Sequence, residues 1–150
     1  MPETDSGSSH TDLLLDSTLE SVDRAEEVAT EAAREMGFDE DDLHKVGIAV
    51  RESMVNAVAH GNRYNARKKV RLQVRKDEDR LIIEIADEGN GFESGTVPDP
   101  LAEENLLKHS GRGLLMIQAF MDEFVVGKRE PSGTEVRMVK VLRGHSETQE

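Results

Sequence analysis

Cysteine is absent from the 150-residue chain, which excludes a disulfide and a thiolate metal site and fits a reducing cytoplasm. No apolar run approaches the ~20 residues that a bilayer span needs. The opening MPETDSGSSHTD also lacks the apolar stretch that drives secretion. The expectation is therefore a cytoplasmic protein with no membrane contact. Basic charge is scarce: the formal net charge is −12, a field that repels a phosphate backbone, so nucleic acid is not expected as a direct partner. No internal repeat is visible. A Walker phosphate loop and the eukaryotic protein-kinase motif set are missing, and GNGFES lacks the third glycine of a dinucleotide fingerprint.

What remains is enough for one domain with its own core, 36% hydrophobic and 33% charged, a globular balance. Charge is uneven along the chain. Residues 1–60 hold 15 acidic and 4 basic side chains, whereas residues 61–80 hold 3 and 8. In that basic segment Arg71 and Arg75 alternate with Val70, Leu72 and Val74, the period of a half-exposed strand with a solvated outer face.

Residues 1–11 and 143–150 are polar and read as disordered tails around a domain at 12–142. DLLLDS is compatible with a short edge strand. Ser17 with Glu20 forms a capping-box signature, and Val22, Ala25, Ala29, Ala32, Ala33 and Met36 repeat at helical spacing until Gly37. Asp39 can cap a second helix with an inward stripe at Leu43, Val46, Gly47, Val50, Met54, Ala57 and Val58, closed by Gly61 in a left-handed turn. Two strands near Val70–Arg75 and Leu81–Ala86 read as a hairpin, the second apolar enough for a central position. From Asp87 to Gly113 runs a long loop with a helical piece around Leu101–Leu107, longer than a plain connection requires. A third helix over Leu114–Met121 then precedes strands Glu123–Lys128 and Thr134–Val141, turned by EPSG.

Four motifs carry possible chemistry. In ESMVNAVAHGN, Glu52 and Asn56 stand four apart and project from one side of the helix, away from its apolar stripe. They suit a carboxylate base beside a Mg²⁺ ligand, and equally a pair of solvated side chains. In ADEGNGF, Asp87 ends an apolar strand and Gly89 and Gly91 follow, which suits a carboxylate accepting from an amine with backbone close by, and equally a turn. In HSGRGLLMIQAF, Gly111 and Gly113 lead into a helix whose free N–H groups favour phosphate. Gly133–Thr134 opens the last strand and is ordinary turn chemistry by itself.

In this order, ExxxN, DxGxGF, GxGL and GT resemble the ATP-binding domain of the GHKL superfamily, shared by gyrase, histidine kinases and mismatch-repair ATPases. The resemblance spans about residues 12–142, and NAVAHGN with GRGLLMIQAFMDEF is most similar to the bacterial anti-sigma factor serine kinases. It implies an α+β fold: a two-layer α/β sandwich with a mixed, mostly antiparallel sheet and three helices on one face. It implies ATP and Mg²⁺ as cofactors, and a serine/threonine kinase that phosphorylates an anti-anti-sigma factor, sequesters a sigma factor and forms a homodimer. Glu52 would be the general base, Asn56 the Mg²⁺ ligand and Asp87 the acceptor for the adenine amine. Gly89 and Gly91 would shape the base pocket, Gly111, Arg112 and Gly113 the phosphate lid, and Thr134 the adenine side. Lys108, His109 and Arg112 are the candidates for the cation that would meet the γ-phosphate. His60 and Asn62 belong to the resemblance, His60 as a helix-end residue. The alternative is a nucleotide-responsive module that only sequesters, meeting a basic surface through Glu20, Asp23, Glu26, Glu27 and Glu31.

Overall fold

The computed structural model describes residues 8–89 and 113–143. Along the chain run β1 (Ser8–Asp16), α1 (Leu19–Met36), α2 (Glu40–Val55), a π-helical segment (Asn56–Gly61), β2 (Lys69–Asp77), β3 (Arg80–Ala86), α3 (Gly113–Phe120), β4 (Glu123–Lys128) and β5 (Thr134–Val141). The strands form one sheet in the order β1-β2-β3-β5-β4. The sheet, expected to be mixed and mostly antiparallel, is antiparallel at each of these pairings.

Period-two patterning puts Val70, Leu72 and Val74 of β2 and Leu81, Ile83 and Ile85 of β3 in one core with Val22, Ala25, Ala29 and Ala33 of α1, Val46, Val50 and Met54 of α2, and Ile117 of α3. Helices α1, α2 and α3 therefore cover the same sheet face, as the two-layer expectation requires. Burying each of the larger of these side chains contributes roughly 1.5–3 kcal/mol. The central strand β3 is also buried on its other face. Ile82 and its register partner Val139 are 2% and 0% exposed, on the face where Arg137 pairs with Glu84 and Glu123 at 3.6 and 3.5 Å.

Helix ends explain where the chain turns. Asp39 caps α2, its Oδ1 accepting from the Asp42 N–H at 2.9 Å, and Gly37 ends α1 in the left-handed region at φ 102°, where glycine avoids a Cβ clash.

Three expectations need correction. The first strand begins at Ser8, so residues 8–11 are strand and not tail. Ser8 to Asp16 pair in register with Asp77 to Lys69, through backbone groups that apolar patterning does not register. The cap of α1 is Thr18, whose side chain accepts from the Ser21 N–H; Ser17 is instead buried and donates to the Lys68 carbonyl at 2.6 Å. Gly61 does not close α2 in a left-handed turn. The helix widens into the π-helical segment, with the Asn62 N–H donating to the Ala57 carbonyl at 2.8 Å. The left-handed residues are Arg63 and Tyr64, at φ 53° and 59°.

Candidate functional site

Asp87 is a charged residue that the fold buries at a strand end. It follows the last residue of β3 and is 5% exposed. Its N–H donates to the Thr134 carbonyl at 2.9 Å, and its carbonyl accepts from Arg129 Nη1 at 3.0 Å. On the side chain, Oδ1 accepts from the Gly89 and Thr134 N–H groups at 2.9 and 3.1 Å. Among the described residues no donor reaches Oδ2. Burial pushes the Asp87 carboxyl above the usual carboxylate range, while the Gly89 and Thr134 N–H groups and the charges of Arg129 and Lys68 pull it down. A buried carboxylate oxygen without a donor is costly unless something else supplies a hydrogen.

Backbone closes tightly around this carboxylate. A Cβ added to Gly61 would overlap Asp87 Oδ2, and one added to Gly89 would overlap the Gly61 carbonyl. Gly133 takes φ +109°, and a Cβ there would overlap the Asp87 carbonyl. The end of the π-helical segment and the β4–β5 turn thus press on Asp87 from two directions. Thr134, read from the sequence as a support on the adenine side, meets Asp87 through its backbone.

Glu52 and Asn56 lie where α2 passes into the π-helical segment, both half-buried. The Asn56 N–H donates to the Glu52 and Ser53 carbonyls, so an α-helical turn separates the two residues and stacks their side chains on one side. Neither side chain has a hydrogen bond or ion pair with another described residue. The absence of a back-bond leaves the Asn56 amide oxygen available as a single hard ligand. Among the described residues no group of three or more His, Cys, Asp and Glu is placed to hold a metal. A cation at Asn56 would take most of its ligands from elsewhere, which suits Mg²⁺ with phosphate. His60 is exposed on the π-helical segment.

Gly113 is the first residue of α3. Gly91, Lys108, His109, Gly111 and Arg112 lie outside the described residues, as does the expected helical piece at 101–107. The sequence motifs give no role to Gly61, Asn62 or Arg129 beside Asp87. Asn62 is 2% exposed, and its signal in the sequence was an amide directly after the glycine that ends an apolar helix. Arg129 carried no signal, since its bond to Asp87 spans 42 residues. The acidic side of α1 holds less free charge than its sequence suggests, because Asp23 and Glu26 pair with Arg51 of α2 at 2.9 and 2.6 Å.

Comparison with known proteins bears on this geometry. Residues 15–140 match the family described as the Histidine kinase-like ATPase domain. The chain is 35% identical over 120 residues to a Serine-protein kinase RsbW of Bacillus velezensis, covering 75% of this chain and 72% of that protein. It is 32% identical over 102 residues to an Anti-sigma F factor of Clostridium botulinum, covering 67% and 71% respectively. Its fold is similar to a crystal structure of the RsbU and RsbW domains of Rv1364c from Mycobacterium tuberculosis, with TM-score 0.61 and 17% identity, over 90% of this chain and 33% of that one.

Proposed function

The chain belongs to the histidine kinase-like ATPase domain family, and from that premise we propose that it is an ATP-dependent serine/threonine protein kinase of the anti-sigma factor type. The observation that carries the reading is Asp87, a buried carboxylate with one oxygen held by two N–H groups and no described donor at the other. Adenine offers what that oxygen needs, an exocyclic amine. The bare backbone of Gly61 and Gly89 lets the chain close on Asp87, and Gly91 would shape the base pocket, as the resemblance implies.

Bound ATP with Mg²⁺ supplies the phosphoryl group and the charge neutralisation that its transfer requires. The chain's own residues then position and polarise. Asn56 would hold the cation through its amide oxygen. Glu52, one turn earlier on the same side, accepts the proton of the attacking serine hydroxyl. By the resemblance, Gly111, Arg112 and Gly113 would offer N–H groups and a cation to the phosphates. Thr134 holds Asp87 in place from the adenine side. The acceptor is an anti-anti-sigma protein and the sequestered partner a sigma factor, in keeping with the names of the relatives. The working form is a cytoplasmic homodimer. No helix among the described residues is long and apolar enough to cross a membrane.

Titration calorimetry with ATP, with and without Mg²⁺, tests the site. Wild type binds, Asp87→Asn loses binding, and Asn56→Ala loses the dependence on Mg²⁺. A wild-type protein that binds no adenine nucleotide overturns the kinase reading. A protein that binds ATP but leaves no phosphate on an anti-anti-sigma acceptor supports the sequestering alternative.

A further inference from the structure

We infer that Asn62 is a positioning residue that, together with Arg129, fixes the direction of the Asp87 carboxylate and thereby the preference of the site for adenine; this rests on the proposed ATP site.

One peptide unit beside Asp87 is held at both of its polar atoms. Between Asp87 and Glu88 the carbonyl accepts from Arg129 Nη1 at 3.0 Å, and the N–H donates to Asn62 Oδ1 at 2.7 Å. The two polar atoms of a trans peptide point in opposite directions. The unit is therefore gripped from two sides, by a residue beyond β4 and by the residue that follows the π-helical segment. Rotation about the Asp87 Cα–C bond breaks at least one of these bonds. The Asp87 N–H is tied to Thr134 as well, so the backbone on both sides of the Asp87 Cα is immobilised, and with it the base of the carboxylate.

Asn62 can hold its end because its amide has one orientation available. Both Nδ2 hydrogens are used, on Ser17 Oγ at 2.9 Å and on the Lys69 carbonyl at 3.0 Å. Ser17 Oγ spends its own hydrogen on the Lys68 carbonyl, so it can only accept from Asn62. A flipped amide would set its oxygen against two acceptors and its nitrogen against the Glu88 N–H. An aspartate there would meet the Lys69 carbonyl with a second oxygen. A second tie runs from the Lys69 N–H to Glu88 Oε2 at 2.7 Å, which anchors Glu88 to the start of β2.

The consequence is chemical selectivity. A rigid acceptor rewards a ligand that donates at one position and rejects one that presents an acceptor there. Adenine carries an amine where guanine carries a carbonyl oxygen. A carboxylate free to swing loses that discrimination along with affinity.

The experiment is titration calorimetry of ATP and GTP against the full chain, in wild type, Asn62→Ala, Asn62→Asp and Arg129→Ala. Leu13→Ala serves as a control that removes side-chain packing remote from Asp87. The expected result is an ATP affinity lowered roughly tenfold or more in each Asn62 and Arg129 variant, with the ATP-to-GTP ratio falling toward one. Leu13→Ala lowers the melting temperature but keeps that ratio. Arg129 lies in a surface turn, so its variant reads out even if the Asn62 variants fail to fold. If Arg129→Ala and any folded Asn62 variant keep the wild-type ratio, the inference is overturned while the ATP site stands. If Leu13→Ala shifts the ratio as much as they do, the role is general stability and the inference is again overturned. If wild type binds neither nucleotide, the functional reading falls and takes this inference with it.

Discussion

Burial raises the pKa of Asp87, so its charged form is disfavoured in the folded chain and the consequence can be read in pH. A folded carboxyl that titrates above its unfolded value costs no stability below the unfolded pKa, and the cost is complete above the folded one. Asp87→Asn removes that carboxylate while keeping an oxygen for the Gly89 and Thr134 N–H groups. Thermal melts of the ligand-free proteins should therefore coincide near pH 4 and separate as pH rises, with the variant the more stable. The same variant should lose ATP affinity by roughly 10–100-fold, the scale of one charge-assisted hydrogen bond. Residues that serve a ligand at the expense of the empty fold behave in this opposed way. Glu52 gives the complementary case. Its side chain contacts no partner among the described residues, so Glu52→Gln should leave melting temperature and ATP binding near wild type. Transfer to a serine acceptor, followed with labelled ATP, should slow by roughly 10²–10⁴-fold.

At the scale of elements, the π-helical segment Asn56–Gly61 decides more than any other stretch. It carries the chain from the Mg²⁺-ligand candidate Asn56 to the glycine that touches Asp87 Oδ2, and it ends on Asn62. Inserting a wider turn re-aims the residues that follow it, and such segments are frequent at functional sites. Gly61→Ala should keep the helical circular dichroism signal, because alanine favours helix. Its Cβ would displace the Asp87 carboxylate, and ATP affinity measured by calorimetry should fall by roughly tenfold or more. An unchanged affinity would mean that the carboxylate is not the adenine acceptor. The strand elements behave more simply. β4 and β5 coincide with the bounds expected from the sequence, because two β-rich runs separated by a proline-glycine turn leave little choice of register.

Across the whole molecule, a net charge of −12 works against compaction by self-repulsion. Exposed ion pairs such as Arg51–Glu26 and Arg71–Asp12 contribute little to stability. Raising salt from about 10 to 150 mM shortens the screening length from ~30 to ~8 Å, which weakens the long-range repulsion more than contacts at these distances. The melting temperature should rise over that interval. A fall would show that the ion pairs spanning α1–α2 and β1–β2 outweigh the net charge. Among the described residues the helices cover one face of the sheet, so the site is built where helix ends and strand ends meet at one edge of the core.

The sequence by itself determined the elements and their layers, since periodicity and caps are local: Asp39 caps α2, Gly37 ends α1, and the apolar run of β3 becomes the central strand. It also marked Glu52, Asn56, Asp87 and Thr134 through short motifs. Tertiary structure alone decided how Asp87 is held. Gly61, Asn62, Arg129 and Gly133 reach it from segments 25 to 46 residues away in the chain, by hydrogen bonds and close backbone approach that leave no period in the sequence. The same reason explains Ser17, read locally as a cap and used by the fold as a buried bridge between Lys68 and Asn62. A hydroxyl beside a helix start has several partners available, and only packing decides which of them it meets.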